Sequence, residues 1–419
     1  MLAVACSTAD PPPPEALDSS SADADVGVEL PPPEEDTTPP PPPANVWLKT
    51  FGTPVSDEGW GIDAAPDGGV FVATHQDNPL KAVVYRLSAG GSVMWTSTWG
   101  EAGITQAFIV HAEPDVVYVG GYVVRKTFDA FVLALDPATG KLIGAPFVWD
   151  QGFGYEEIDG IVVDGDDVYV SGWTTGEKSA KDVLLMHLTR DLQLVDWTGW
   201  GTDDFDVANG HLVADDGRLY VAGRYGSPSK DLGFPGGDAF VGAFEKKDLT
   251  NVWHTEMAAL PPKVQDAYGL ATDGERLFAL GIDYVANHST QIAVWAVEKD
   301  GKIAWVQTWG GPADEVGRAI ALDPTDGSLL AAVNTRSSTA EDVNVALLRF
   351  QASDGAVLSS DILGGGGDDV AHDLVPLGKE VAIVGETTSL GAGKTDAFVL
   401  RAQHNPPILP GPSFWTPEK

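Results

Sequence analysis

Between residues 45 and 404 a phrase of four apolar segments recurs, and no other feature of the chain restricts its fold so tightly. The fullest copy, "WVQTWGGPADEVGRAIALD", begins at Trp305, and "WTSTWG" at Trp95 and "WLKTF" at Trp47 open in the same way. Trp95 and Trp99, like Trp305 and Trp309, have a spacing that puts both rings on one face of a helix or a strand. Thr and Val between them and Gly after them favour the strand. A Gly- and acid-rich turn then leads to "GIDAA" or "AIALD". An Asp/Gly turn leads on to "VFVAT", "VYVGG", "VYVSG", "LYVAG", "LFALG", "LLAAV" or "VAIVG". After a variable loop come "AVVYRL", "DAFVLAL", "DVLLMHL", "DAFVGAF", "IAVWAV", "NVALLRF" and "DAFVLRA", so these last two segments occur in seven copies.

A period of roughly 50 residues marks a propeller or a solenoid. Each copy has the content of one four-stranded antiparallel blade. The Trp strand would be outermost, and the inner strand would follow the acidic turn. The ordered region opens on a Trp strand at Val46–Gly52 and ends on "DAFVLRA" at Asp396–Ala402, with no Trp strand after it. If the first strand completes the last blade, no sheet edge is left exposed. The sequence therefore predicts an all-β chain, a seven-bladed β-propeller over residues 45–404 closed by its N-terminal strand. The 48 Gly and 30 Pro fit many short strands and turns.

"GWGIDAAPDGGVFVATH" and "GYEEIDGIVVDGDDVYVSGWTT" resemble the bacterial SBBP-type (seven-bladed β-propeller) repeat. Its usual run is Trp, Gly-Gly, acids, an apolar strand, an Asp-Gly turn, then "VYVTG". The resemblance implies the fold and says little about activity, since such repeats occur in many secreted or surface proteins.

The termini carry a separate signal. Cys6, the single cysteine, follows "MLAVA", which resembles the end of a bacterial lipoprotein signal, with small Ala5 before the Cys to be lipidated. The charged n-region and most of the apolar h-region of such a signal are missing. Residues 1–6 are read as its remnant, and residues 7–44, without Lys or Arg and with three proline runs, as a disordered spacer. Residues 405–419 form a second Pro-rich tail. A proline-rich leader of this kind before a propeller resembles the surface lipoproteins of myxobacterium-type bacteria. The location it implies is the bacterial envelope, as an outer-membrane or surface lipoprotein facing periplasm or exterior. A formal net charge of −36 excludes nucleic acid as a partner and leaves the lipid as the sole membrane contact. An envelope protein or polysaccharide is the expected partner of a monomer.

Acids precede most inner strands, and Asp57, Glu156, Asp206, Asp266, Glu315 and Asp369 form the candidate metal set. A ring of carboxylates would attract a hard cation such as Ca²⁺, the one cofactor the sequence suggests. Alternatively each acid caps its turn and locks blade to blade, as expected of a residue repeated in nearly every copy. The variable loops between third and fourth segments are the candidate ligand-binding loops, with Tyr225, Lys230, Phe234, Tyr284 and His288 foremost. No G-x-S-x-G elbow and no phosphate loop is present, and no residue is singled out as catalytic. His111, His187 and His211 lie on or beside strands and read as structural, and the Trp stripes as filling between blades.

"LALDPATGKLIGAPFVW", Leu133–Trp149, resembles the tryptophan-docking repeat of pyrroloquinoline-quinone dehydrogenases, but only this copy has the full turn. Those enzymes usually have eight blades and many carry a vicinal disulfide, which one cysteine cannot form. The turn is better read as a hairpin loop with Gly140 at positive φ. The first functional reading is a non-catalytic binding or scaffolding propeller. The competing class is an extracytoplasmic hydrolase or lyase, with a quinoprotein less supported, its site at the channel mouth. Clustered His, Tyr and Arg beside perturbed carboxylates would favour an enzyme; an evenly acidic ring under flat loops would favour binding.

Overall fold

The computed structural model describes residues 45–76, 79–100, 103–151, 154–175, 181–226, 237–257, 265–285, 289–338, 342–391 and 394–410. These residues contain strands and turns and no helix. After β1 (Trp47–Phe51), blade one comprises β2 (Glu58–Ala64), β3 (Val70–Gln76), β4 (Lys81–Leu87) and β5 (Val93–Trp99). Blade two follows with β6 (Thr105–Ala112), β7 (Val117–Val124), β8 (Phe128–Leu135) and β9 (Phe147–Trp149). Blade three holds β10 (Glu156–Asp164), β11 (Asp167–Thr175), β12 (Lys181–Thr189) and β13 (Leu194–Trp200). In blade four the inner strand is split into β14 (Val207–Ala208) and β15 (Val213–Asp215), followed by β16 (Arg218–Tyr225), β17 (Asp238–Glu245) and β18 (Asn251–Glu256). Blade five is β19 (Gln265–Thr272), β20 (Arg276–Val285), β21 (Ser289–Glu298) and β22 (Ile303–Trp309). Blade six is β23 (Glu315–Leu322), β24 (Ser328–Thr335), β25 (Asn344–Gln351) and β26 (Val357–Leu363). Blade seven is β27 (Asp369–Leu377), β28 (Glu380–Thr387) and β29 (Asp396–His404), with the short β30 (Pro407–Ile408) beside β29.

The chain is thus a seven-bladed β-propeller of antiparallel blades. Its last blade is completed by β1, which pairs with β29 from Trp47↔Arg401 to Phe51↔Ala397. Strand chemistry follows position in the blade. β3, "VFVATHQ", is buried along its whole length because neighbouring blades cover both its faces. On the outer strand β5, "VMWTSTW", half-buried residues alternate with exposed ones towards its end. Seven apolar clusters form, each between two adjacent blades; that between blades two and three, for example, holds Tyr118, Val132, Ile158, Leu184 and Met186.

The recurrent Trp phrase has a definite task. The indole N–H of Trp95 on blade one donates to the Pro137 carbonyl in the β8–β9 turn of blade two at 3.0 Å. Trp47, Trp253 and Trp305 make the same reach into the next blade, to the carbonyls of Ala89, Lys299 and Ala352 at 2.9, 3.1 and 3.2 Å. Each indole lies on a glycine of that turn. Gly140 has φ 69°, and a Cβ there would stand 2.6 Å from the Trp95 ring. Gly355, at φ 77°, is as close beneath Trp305. Both the left-handed turn and the close approach require glycine. The "DPATGK" stretch is therefore a hairpin loop on which the preceding blade docks.

Candidate functional site: the central channel

Two columns of residues along the inner strands separate scaffold from site. The first lies at the crossover from each blade to the next and contains Asp57, Thr105, Glu156, Asp206, Gln265, Glu315 and Asp369. Asp57 accepts from the Thr53 N–H and hydroxyl at 2.5 and 2.9 Å, and Asp206 from those of Thr202 at 2.5 and 2.8 Å. Glu315 accepts from the Gly311 N–H at 3.1 Å and the Thr335 hydroxyl at 3.0 Å. Asp369 takes the Gly365 N–H at 2.6 Å and the hydroxyls of Thr387 and Ser389 at 2.5 and 2.9 Å. The backbone N–H groups of Asp57, Thr105, Asp206, Gln265 and Asp369 also donate to carbonyls of the preceding blade at 2.8–3.0 Å. These carboxylates bolt crossovers, and losing one such set of bonds costs about 0.5–2 kcal/mol.

The candidate metal set is therefore not one ring. Asp57, Asp206, Glu315 and Asp369 each sit buried in a separate crossover. Asp266 is the neighbour of the crossover residue Gln265; it accepts from Asn209 Nδ2 at 2.8 Å and lies 3.7 Å from Arg224. Glu156 stands apart: it is fully buried, and neither carboxylate oxygen has a hydrogen-bond partner among the described residues. Burial and the charges of Asp150 and Asp129 push its carboxyl up to about 8.

The second column lies at a bulge on each inner strand. Register shifts fall between Gly59/Gly61, Ala107/Ile109, Ile158/Gly160, Ala267/Gly269, Gly317/Ala319 and Ala371/Asp373. A bulge adds a residue that the ladder does not pair and re-aims its side chain. The residues so placed are Trp60, Phe108, Asp159, Tyr268, Arg318 and His372, and the break between β14 and β15 adds Asn209 to His211. All of them line one cavity of about 180 Å³ at the centre of the ring. His211 on blade four pairs with Asp373 on blade seven at 3.1 Å, and both line the cavity.

The cavity is electrically uneven. On one side the Trp60 ring stacks on His372 at 3.9 Å and meets the edge of Phe108 at 5.0 Å. Burial pulls the His372 imidazole down, leaving it neutral. Above Trp60, Glu58 accepts from Trp60 at 3.0 Å and lies 3.1 Å from His75, whose hydrogen bond holds its carboxyl down at about 2. On the other side burial pushes both Glu157 and Asp159 up, the Glu157 charge pushes Asp159 further, and the Lys181 charge pulls both partly back. Asp159 Oδ2 has no hydrogen-bond partner, nor has Arg318 Nε. The Arg318 guanidinium stands 5.3 Å over the Tyr268 ring, and no carboxylate lies within ion-pair distance of it among the described residues. Burial raises the Tyr268 phenol, and it raises Asp266 to about 6. The Asp373 charge beside His211 raises that imidazole. Buried polar atoms without partners around a cavity mark a place for a polar ligand.

The other candidates lie elsewhere. Tyr225 stacks on Trp200 of blade three at 5.0 Å and meets His254 of its own blade at a tilt, 4.8 Å away. Tyr284 is a half-buried residue near the end of β20. Cys6, Lys230, Phe234 and His288 lie outside the described residues. His111 pairs with Glu113 at 3.3 Å and His187 with Asp167 at 2.7 Å, the structural roles expected of them, whereas His211 is also a wall of the cavity. The bulge residues were missed as a set. Their signal is a large side chain between small or apolar ones, as in "GWG", "AFI", "IDG", "AYG" and "GRA", visible once the copies are aligned on the acid.

No family model matches the chain, and no curated protein matches it. Among solved structures, the periplasmic gluconolactonase of Pseudomonas aeruginosa aligns with a TM-score of 0.50 at 16% identity, over 74% of this chain and 86% of its own. A putative 6-phosphogluconolactonase of Bacteroides uniformis aligns at 0.48 and 17% identity, over 72% and 85%. The quinohemoprotein alcohol dehydrogenase of Comamonas testosteroni aligns at 0.48 and 12%, over 85% and 76%. At such identities the likeness shows the propeller fold alone.

Proposed function

We propose that the central channel is a catalytic site for a small anionic substrate, with the Glu157–Asp159 carboxyl pair as its proton donor, in a hydrolase or lyase reaction. The bulge column carries this reading. Residues of the crossover column resemble one another from blade to blade, as scaffold residues do, whereas the bulge column holds a different side chain in every blade. Arg318, without a carboxylate partner, would hold the substrate's negative charge, and Trp60 and Phe108 would bound its apolar face. Asp159 would pass its proton to the leaving oxygen as the bond to that oxygen breaks, while water adds to the other fragment in a hydrolase or the neighbouring carbon gives up a proton in a lyase; the Glu157 charge would keep the proton on Asp159 until then. A cavity of about 180 Å³ is smaller than the roughly 300–1,000 Å³ of drug-sized sites, so the substrate is a small molecule or one unit of a chain.

A panel of small esters, lactones and glycosides bearing a carboxylate tests this. At least one class is expected to turn over, with Asp159→Asn lowering kcat/KM by roughly 10²–10⁴ and Arg318→Ala acting chiefly on KM. Wild type and Asp159→Asn indistinguishable across the panel would remove the reading in favour of a scaffold.

The small residue before Cys6 and the proline-rich segment after it support a place at the cell envelope, held by lipid on Cys6. Each buried CH₂ contributes about 0.8 kcal/mol, so two or more chains make release slow. Expressed in a bacterial host behind a complete leader, the chain should fractionate with membranes and Cys6→Ser with the soluble proteins. A soluble wild type would rule the anchor out.

A further inference from the structure

We propose that Asp129, Asp150 and Glu156 bind a divalent cation of the Ca²⁺ class, which rivets blade two to blade three. Asp129 stands at the start of β8 and Asp150 directly after β9, both on blade two; Glu156 opens β10 on blade three. One carboxylate oxygen from each lies within 4.8 Å of the others. That spread matches oxygens placed around one ion at Ca²⁺–oxygen distances of about 2.3–2.6 Å.

Three acidic side chains close together would not by themselves make a site. Glu156 supplies the independent observation: it is 0% exposed, and neither of its oxygens has a hydrogen-bond partner among the described residues. A buried carboxylate without donors is costly, and its counterparts Asp57, Asp206, Glu315 and Asp369 all have theirs. The sequence departs from the repeat at the same place. The residue after the outer strand is Gly52, Gly100, Gly201, Gly310 and Gly364 at five of the six other crossovers and Met257 at the sixth, but Asp150 here. Those glycines are needed for room: a Cβ at Gly310 would stand 2.5 Å from Glu315 Oε2, and one at Gly201 2.5 Å from Asp206 Oδ2. Blade two therefore places a third carboxylate where other crossovers leave space beside the acid.

The donor set is all oxygen. With no imidazole or thiolate among the three, it suits a hard cation rather than Zn²⁺. Asp129 also accepts from the Thr127 hydroxyl at 2.8 Å, and Arg125 Nε lies 3.8 Å from its other oxygen. Asp150 is exposed, so water can complete the coordination on that side.

The full chain, stripped with a chelator, is titrated with CaCl₂ and, at equal ionic strength, with MgCl₂, and followed by calorimetry and thermal melting. The expected result is one Ca²⁺ bound per chain and a rise in Tm of about 2 °C or more that Mg²⁺ does not give. Asp150→Gly restores the residue of the other crossovers and should fold normally. It and Glu156→Gln should each weaken Ca²⁺ at least tenfold and remove the rise, while Asp314→Asn, next to Glu315 at the crossover from blade five to blade six, keeps it. Equal rises for the two ions, or a Ca²⁺ rise that survives both substitutions, would overturn the site and leave only screening of an acidic surface.

Discussion

A chain beginning at residue 45 is expected to melt cooperatively and as high as the full chain, whereas one beginning at residue 54 should lose most of its stability and associate. The difference is β1. Its five residues pair with β29, and its Trp47 is only 7% exposed, packed among Ile62, Val70, Leu87 and Val399 where blade seven meets blade one. Removing a buried tryptophan costs about 3–5 kcal/mol. Leu48 and Phe51, packed against the flanking cores, add a further 1–2 kcal/mol or so each. The sum approaches the total stability of an ordinary domain, roughly 5–15 kcal/mol. The truncated chain also exposes β29, "DAFVLRAQH", as an unpaired edge, which is a template for pairing with another copy. Thermal melting and light scattering on the two truncations decide the matter. Equal melting temperatures and a monomeric shorter chain would mean that β1 does not hold the ring closed.

That closure was legible because a missing outer strand at one end and an extra one at the other are features of order along the chain. The Trp phrase was legible for the same reason, since Trp95 and Trp305 repeat a local pattern. What the pattern omits is depth. Asp57 and Asp266 both stand in acidic turns before an inner strand, yet one bolts a crossover and the other bonds the channel residues Asn209 and Tyr268. In a strand a single step reverses the face, so a spacing error of one residue exchanges scaffold for site. The channel was hidden by its bulges. Trp60, Asp159 and Arg318 break the alternation that identifies a strand, and a reading built on alternation passes over them. Glu156 stood in the candidate metal set, but its partners Asp129 and Asp150 did not: Asp150 replaces a glycine whose importance shows only when the packing around Gly201 and Gly310 is known.

In chelator-treated protein, stability is expected to fall as pH rises from about 5 to about 8, and Glu156→Gln to remove much of that fall. Glu156 titrates near 4.5 when free and at about 8 in the folded chain, because burial and the charges of Asp150 and Asp129 oppose its ionisation. Below pH 4.5 both states hold the proton and the group contributes no difference. Between 4.5 and 8 the unfolded chain ionises while the folded one does not, so the folded state loses ground with each unit, by about 1.4 kcal/mol. The whole span is worth roughly 3–5 kcal/mol. Asp266, raised from 3.8 to about 6 by burial, works in the same direction over a lower window, and burial raises Asp159 and Glu157 to the same effect. Glu58 opposes them: held at about 2 by His75, it contributes stability above pH 4.5 that is lost as pH falls towards 2. The optimum should therefore lie between about pH 4 and 6. Self-repulsion of a chain of net charge −36 adds to the alkaline loss, but it is nearly the same in the variant and cancels in the comparison. Denaturant unfolding at pH 4.5, 6 and 8 should find Glu156→Gln close to wild type at the first and more stable by a few kcal/mol at the last. A variant less stable than wild type at pH 8 would show that the ionised carboxylate stabilises the crossover, and that the folded chain does not keep Glu156 protonated.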